Sequence, residues 1–139
     1  MKSRDTLIRL KRFHVDEKRR RVTQIEAMIA EFQRMAGELD REIEGEERRA
    51  GISDTAHFAY PTYAKAARQR RDNLLNSAAE LAGQLEEARA QLNEAFEELK
   101  KVEILEDREK AAERAEMALR DQMETDRIAA RMRYAAGRL

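Results

Sequence analysis

The sequence predicts an all-α protein, a long antiparallel two-helix coiled-coil hairpin with an overhanging C-terminal helical segment. Apolar residues recur at alternating steps of three and four in both halves of the chain, the spacing that keeps one stripe on one helix face. The only cluster of helix-breaking residues is the stretch GISDTAHFAYP at 51–61. Charge is also segregated. Residues 1–24 carry nine Lys/Arg against three acids, whereas 79–126 carry fifteen acids against seven Lys/Arg. With 40% charged residues, 5% aromatics and a mean hydropathy of −0.84, the chain is poor material for a globular core. The 42% of apolar residues, regularly spaced, argue equally against disorder.

The first helix is expected over about 5–50. Its seam runs Ile8, Val15, Val22, Ile29, Ala36 and Ile43, one heptad apart, and Ile25, Phe32 and Leu39 fill the second stripe. Lys11 and Lys18 occupy that second stripe near the start. Their stems cover apolar surface while the ammonium groups reach water, which implies a looser end. Met28 and Met35, one heptad apart beside the seam, read as a widening of the core stripe.

The connection is expected over 51–60. Gly51 can supply the left-handed residue that ends the first helix, Ser53 or Asp54 can cap a short turn, and Pro61 suits the first helical position of the next element. Phe58, Tyr60 and Tyr63 have two readings, an exposed aromatic contact or a seal for the hairpin tip.

The second helix is expected over about 61–136, making 1–139 one coiled-coil domain. Its seam, Leu74, Ala78, Leu81, Leu85, Ala88, Leu92, Ala95, Leu99 and Val102, steps four and three without exception. Gly83 lies outside the seam and lowers helix propensity by roughly 1 kcal/mol without breaking the element. The many alanines permit close packing but bury little area, so each such layer stabilises modestly. At about 1.5 Å per residue the two elements would run roughly 65 and 110 Å.

A ten-residue connection lets the helices fold back so that residue i faces roughly 111 − i. Val22 then meets Arg89, Ile8 meets Glu103, and the basic start lies along the acids of 87–110. A parallel dimer would stack basic arm on basic arm. Beyond Val102 the seam positions become Glu106, Glu109 and Glu113, and a shifted stripe through Leu105, Ala112, Ala115, Leu119 and Met123 continues with gaps toward Ile128 and Met132. Residues 105–136 are thus expected to overhang, with Leu119, Met123, Ile128 and Met132 as candidate partner-binding residues.

Catalytic chemistry finds little support. Cysteine is absent, His14 and His57 have no second histidine at ligand spacing, and no phosphate-binding loop or dinucleotide fingerprint is present. The expectation is a non-enzymatic protein without cofactor or metal. No segment is apolar enough to cross a membrane and the start has no signal-peptide pattern, so a soluble, cytoplasmic protein is expected. The basic runs KRRR at 18–21 and RQRR at 68–71 raise nucleic-acid binding as an alternative, but no accompanying recognition motif supports it.

The amino-terminal SRDTLIRLKRFHVDEKRRR arm, together with the length, the seam and the long acidic second helix, resembles the flagellar export protein FliJ family in its alphaproteobacterial form. The resemblance covers essentially the entire chain. It implies a cytoplasmic component of the flagellar type III export apparatus, peripherally associated at the inner-membrane base of the flagellum through protein contacts. It also implies a coiled coil similar to the central stalk of rotary ATPases. The partners implied are the hexameric export ATPase, the cytoplasmic domain of the export gate protein, and flagellar export chaperones; nucleic acid is not among them. Arg4, Arg9, Lys11, Arg12, Lys18, Arg19, Arg20 and Arg21 are the candidate contacts of the basic arm. A generic scaffold, or an export chaperone that binds secreted flagellar subunits, is the alternative reading.

Overall fold

A computed structural model describes the backbone of residues 2–137 and the side chains of residues 4–137. Two helices account for nearly all of it: α1 (Lys2–Ala50) and α2 (Thr62–Gly137), of 49 and 76 residues. The described residues contain no strand. The helices pair antiparallel as a hairpin, and the chain divides into two compact units, Phe13–Phe96 and Met1–Arg12 with Glu97–Leu139.

In the unit Phe13–Phe96, Val22, Ile25, Leu81 and Ala88 form a buried cluster, with Ile29, Phe32, Leu85 and Leu92 half-buried around it. Val15, Ala36, Ile43 and Ala78 are also buried, and Leu39 and Leu74 half-buried. Half-burial is the geometry of two helices alone, since a seam residue has a neighbour on one side only. Ile25, in the second stripe, is the largest fully covered side chain. Met28 is exposed and Met35 half-buried, so the stripe widens at only one of the two methionines.

The reversal follows the backbone chemistry of 51–61. Gly51 adopts φ 69°, a left-handed conformation that glycine enters without a side-chain penalty. The N–H groups of Gly51 and Ile52 both donate to the Glu47 carbonyl, at 2.9 and 3.2 Å, closing the end of α1. Asp54 then organises a turn: its Oδ1 accepts the Ala56 N–H at 3.0 Å and its carbonyl accepts the His57 N–H at 3.1 Å. Pro61 stands just before α2, where its carbonyl accepts the Lys65 N–H at 3.1 Å. It therefore occupies the capping position, one residue earlier than expected.

The three loop aromatics divide. Tyr60 is buried, as are Ala64 and Ala67 in the first turns of α2, and its hydroxyl donates to Glu47 Oε1 at 2.8 Å while accepting from Arg68 Nε at 2.8 Å. Arg68 Nη2 also donates to Glu47 Oε1, at 2.6 Å. These bonds, Arg68 first and Tyr60 second, hold the Glu47 carboxyl below its ordinary range. Tyr63 is exposed and donates to Glu42 Oε2 at 2.8 Å. Phe58 is 97% exposed and stacks on His57, with ring centroids 4.8 Å apart.

In the unit Met1–Arg12 with Glu97–Leu139, Ile8 and Leu99 are buried and Val102 half-buried. Arg4 pairs with Glu109, Lys11 Nζ lies 2.8 Å from Glu98 Oε2, and Arg12 Nη2 lies 3.6 Å from Glu103 Oε2. Because α1 begins at Lys2, it reaches Glu109, and the uncovered part of α2 starts near 111 rather than at 105.

The register agrees with the facing expected from the connection. Asp40 pairs with Arg71, whose numbers total 111, and Glu26 with Arg89, totalling 115. In the other unit Lys11 with Glu98 totals 109.

Candidate partner-binding surfaces

The eight basic candidates of α1 are either engaged by neighbouring side chains or left outward, according to their angle on the helix. In the unit Phe13–Phe96, Lys18 turns to α2, its Nζ donating to Gln91 Oε1 at 3.3 Å. Arg19 stacks its guanidinium over the Phe96 ring, 5.4 Å from the centroid, and approaches Asp16 at 3.7 Å. Arg20 and Arg21 are exposed and make no ion pair among the described residues. With Glu17, Lys18, Gln24 and Gln91 they line an open, polar groove. Two neighbouring guanidiniums with no ion-pair partner among the described residues suit the carboxylates of an acidic protein surface, to which arginine binds with fork geometry.

In the unit Met1–Arg12 with Glu97–Leu139, Arg4, Lys11 and Arg12 are engaged by Glu109, Glu98 and Glu103. Arg9 is exposed and borders a groove with Asp5, Arg12, Glu106, Asp107 and Lys110. Lys110 donates to Glu106, holding that carboxyl below its ordinary range and raising the ammonium in turn. Of the eight basic candidates, Arg9, Lys18, Arg20 and Arg21 make no ion pair among the described residues, and of these Lys18 is held by the neutral amide of Gln91, a distinction that net charge could not reveal.

The second candidate surface is α2 beyond Lys110. Leu119, Met123, Ile128 and Met132 are all exposed, Met132 at 69%. They do not form the single stripe expected. Five residues separate Met123 from Ile128, which at about 100° per residue turns the helix roughly 140° past a full revolution. Leu119 and Met123 share one side; Ile128 and Met132, with Met117, share the other. Pairs such as Arg120 with Glu116 at 2.7 Å support this helix along its own length. Arg138 lies outside the described residues.

The run at 68–71 is not a free basic patch. Arg68 is committed to Glu47 and Tyr60, and Arg71 to Asp40 and Asp72 at 2.9 and 3.0 Å. Neither His14 nor His57 belongs to a group of three or more potential metal ligands among the described residues. His57 Nδ1 instead accepts the Ala59 N–H at 3.0 Å. The Glu47–Tyr60–Arg68 cluster went unseen in the sequence. Its signal was the single tyrosine immediately before Pro61, eight residues ahead of an arginine.

No helix among the described residues is long and apolar enough to cross a membrane. Searches of curated proteins and of solved structures return no match. A family profile described as "Flagellar FliJ protein" matches residues 2–138, in keeping with the paired helices and the basic arm, and the chain belongs to that family, a component of the flagellar export apparatus.

Proposed function

We propose that this chain acts in flagellar export as a stalk-like coiled coil that regulates the hexameric export ATPase, links it to the cytoplasmic domain of the gate protein, and engages export chaperones. Its site of action would be the cytoplasmic face of the inner membrane at the base of the flagellum. A uniform cylinder on the axis of a six-fold ring offers every subunit the same contact. A regulator in that position must therefore present unlike faces, and segregated charge supplies them.

The observation that carries this reading is the state of Arg20 and Arg21. They stay exposed without an ion pair among the described residues while Lys18 and Arg19 are engaged by the hairpin. Exposed like charges repel one another and contribute nothing to the fold, so their use lies with a partner. Arg9 and the exposed apolar residues Leu119, Met123, Ile128 and Met132 are proposed as further contacts.

The test is ATPase stimulation by a chain carrying Arg20→Glu and Arg21→Glu. Helicity should be retained, because neither side chain packs, and stimulation should be lost. Unchanged stimulation would remove the electrostatic mechanism. The exposed apolar residues of α2 also favour a second reading, an export chaperone that binds secreted flagellar subunits. That reading requires stable one-to-one complexes with such subunits and no effect on ATP hydrolysis, and a pull-down from flagellated cells distinguishes the two.

A further inference from the structure

Past Ala111, α2 carries a lane without a single charge. Ala111, Ala115, Ala118, Gln122, Thr125 and Ala129 recur at alternating steps of four and three, and the alternation continues to Ala136. The lane is exposed except for half-buried Ala129, and Leu119 and Met132 widen it with large apolar side chains. At about 100° per residue it lies roughly 140° around the helix from Leu99, Val102 and Glu106, the side turned toward α1. The first helix cannot cover it.

The flanking charges select the occupant. Arg108 and Arg114 flank the lane before Ala118, and Asp121 and Asp126 flank it after. When two identical helices pair antiparallel, facing positions have a constant total, and each flank meets the same flank of its twin. With that total at about 235, Arg114 faces Asp121 of the second copy and Arg108 faces its Asp126. The members of each pair lie on one flank. Arg108 and Asp126 are separated by five full turns, and Arg114 and Asp121 differ by roughly 20°. In the same register Leu119 packs on Ala115 of the second copy, and Ala118 meets its twin near the two-fold axis. Small side chains there allow an interhelical distance near the lower end of the usual range, about 8 Å. Within one chain, Arg108, Arg114 and Asp121 have no ion-pair partner among the described residues.

We infer that residues 104–132 of α2 form an antiparallel, two-fold symmetric docking surface for the same segment of a second copy. A parallel pair would set each of these four flanking charges level with its own copy. The inference does not depend on the ATPase reading, because it concerns the purified chain alone.

Sedimentation of the full chain over a range of concentrations tests it. The chain should show a reversible monomer–dimer equilibrium that weakens as salt is raised. Arg114→Asp alone and Asp121→Arg alone should each raise the dimer Kd by roughly tenfold or more, since each converts two attractive contacts into repulsive ones. The double variant R114D/D121R should restore dimerisation, because both symmetric contacts are rebuilt with signs exchanged. Nitroxides at Ala118 should approach each other across the dimer, and nitroxides at Met132 should lie roughly 40 Å apart. A chain that stays monomeric at its highest soluble concentration overturns the inference. So does a dimer indifferent to both single reversals, a double variant that is not restored, or close approach at both labelled positions.

Discussion

Replacing Ile25 by Ala should expose how the hairpin is held together. Ile25 is 1% exposed and sits among Val22, Leu81 and Ala88, with half-buried Ile29, Phe32, Leu85 and Leu92 around it. Full burial of such a side chain stabilises by about 1.5–3 kcal/mol, and truncation in a core adds a cavity penalty, for a usual total of about 2–5 kcal/mol. The half-exposed neighbours can close over the gap, which places the expected loss at about 2–3 kcal/mol. Against a typical total of about 5–15 kcal/mol, that is a large fraction. Ile29→Ala, one turn further on and already partly in water, should cost only about 1 kcal/mol. Urea titrations followed by circular dichroism give both values, provided the two variants keep the wild-type slope. Equal losses at the two positions, or a loss below about 1 kcal/mol at Ile25, would refute the assignment of the buried seam.

Other perturbations have signs fixed by local structure. The Glu47 carboxyl lies below its ordinary 4.5 because Arg68, and after it Tyr60, donate to its charged form, and unfolding releases both. A depressed carboxylate contributes stability that is fully present above its unfolded pKa and lost as pH falls through the folded value. Glu47→Gln should therefore lower the melting temperature at neutral pH, and the gap to wild type should narrow below about pH 4; a gap independent of pH would contradict the cluster. Gly51→Ala and Gly83→Ala should have opposite effects, although an added Cβ has open space at both positions. At Gly51, with φ 69°, it costs about 1–2 kcal/mol, and in the helix at Gly83 it stabilises by up to about 1 kcal/mol, as paired thermal melts would show.

The features legible in the sequence are those that depend on spacing along one dimension. The 3,4 seam identified the inward faces of α1 and α2, and the ten-residue connection fixed which residues face each other. Lys11 accordingly meets Glu98, and Asp40 meets Arg71. Gly51 was readable because few residues enter a left-handed conformation cheaply. Tyr60 and Phe58 were not separable, since which ring turns inward depends on the turn set by Asp54 and on the Glu47–Arg68 pair awaiting a hydroxyl. Arg68 and Arg71 looked like part of a free basic run, yet their angles on α2 direct them to acids of α1. The split of Leu119 and Met123 from Ile128 and Met132 was present in the five-residue step, which gapped heptad counting passes over.

The chain reverses at 51–61, and a pair of spin labels at Val22 and Ala88 measures that reversal most directly. Both positions belong to one buried cluster, so the labels should lie close together and stay so when labelled chain is diluted with an excess of unlabelled chain. Labels far apart, or a proximity that dilution abolishes, would contradict the hairpin and place the contact between different molecules.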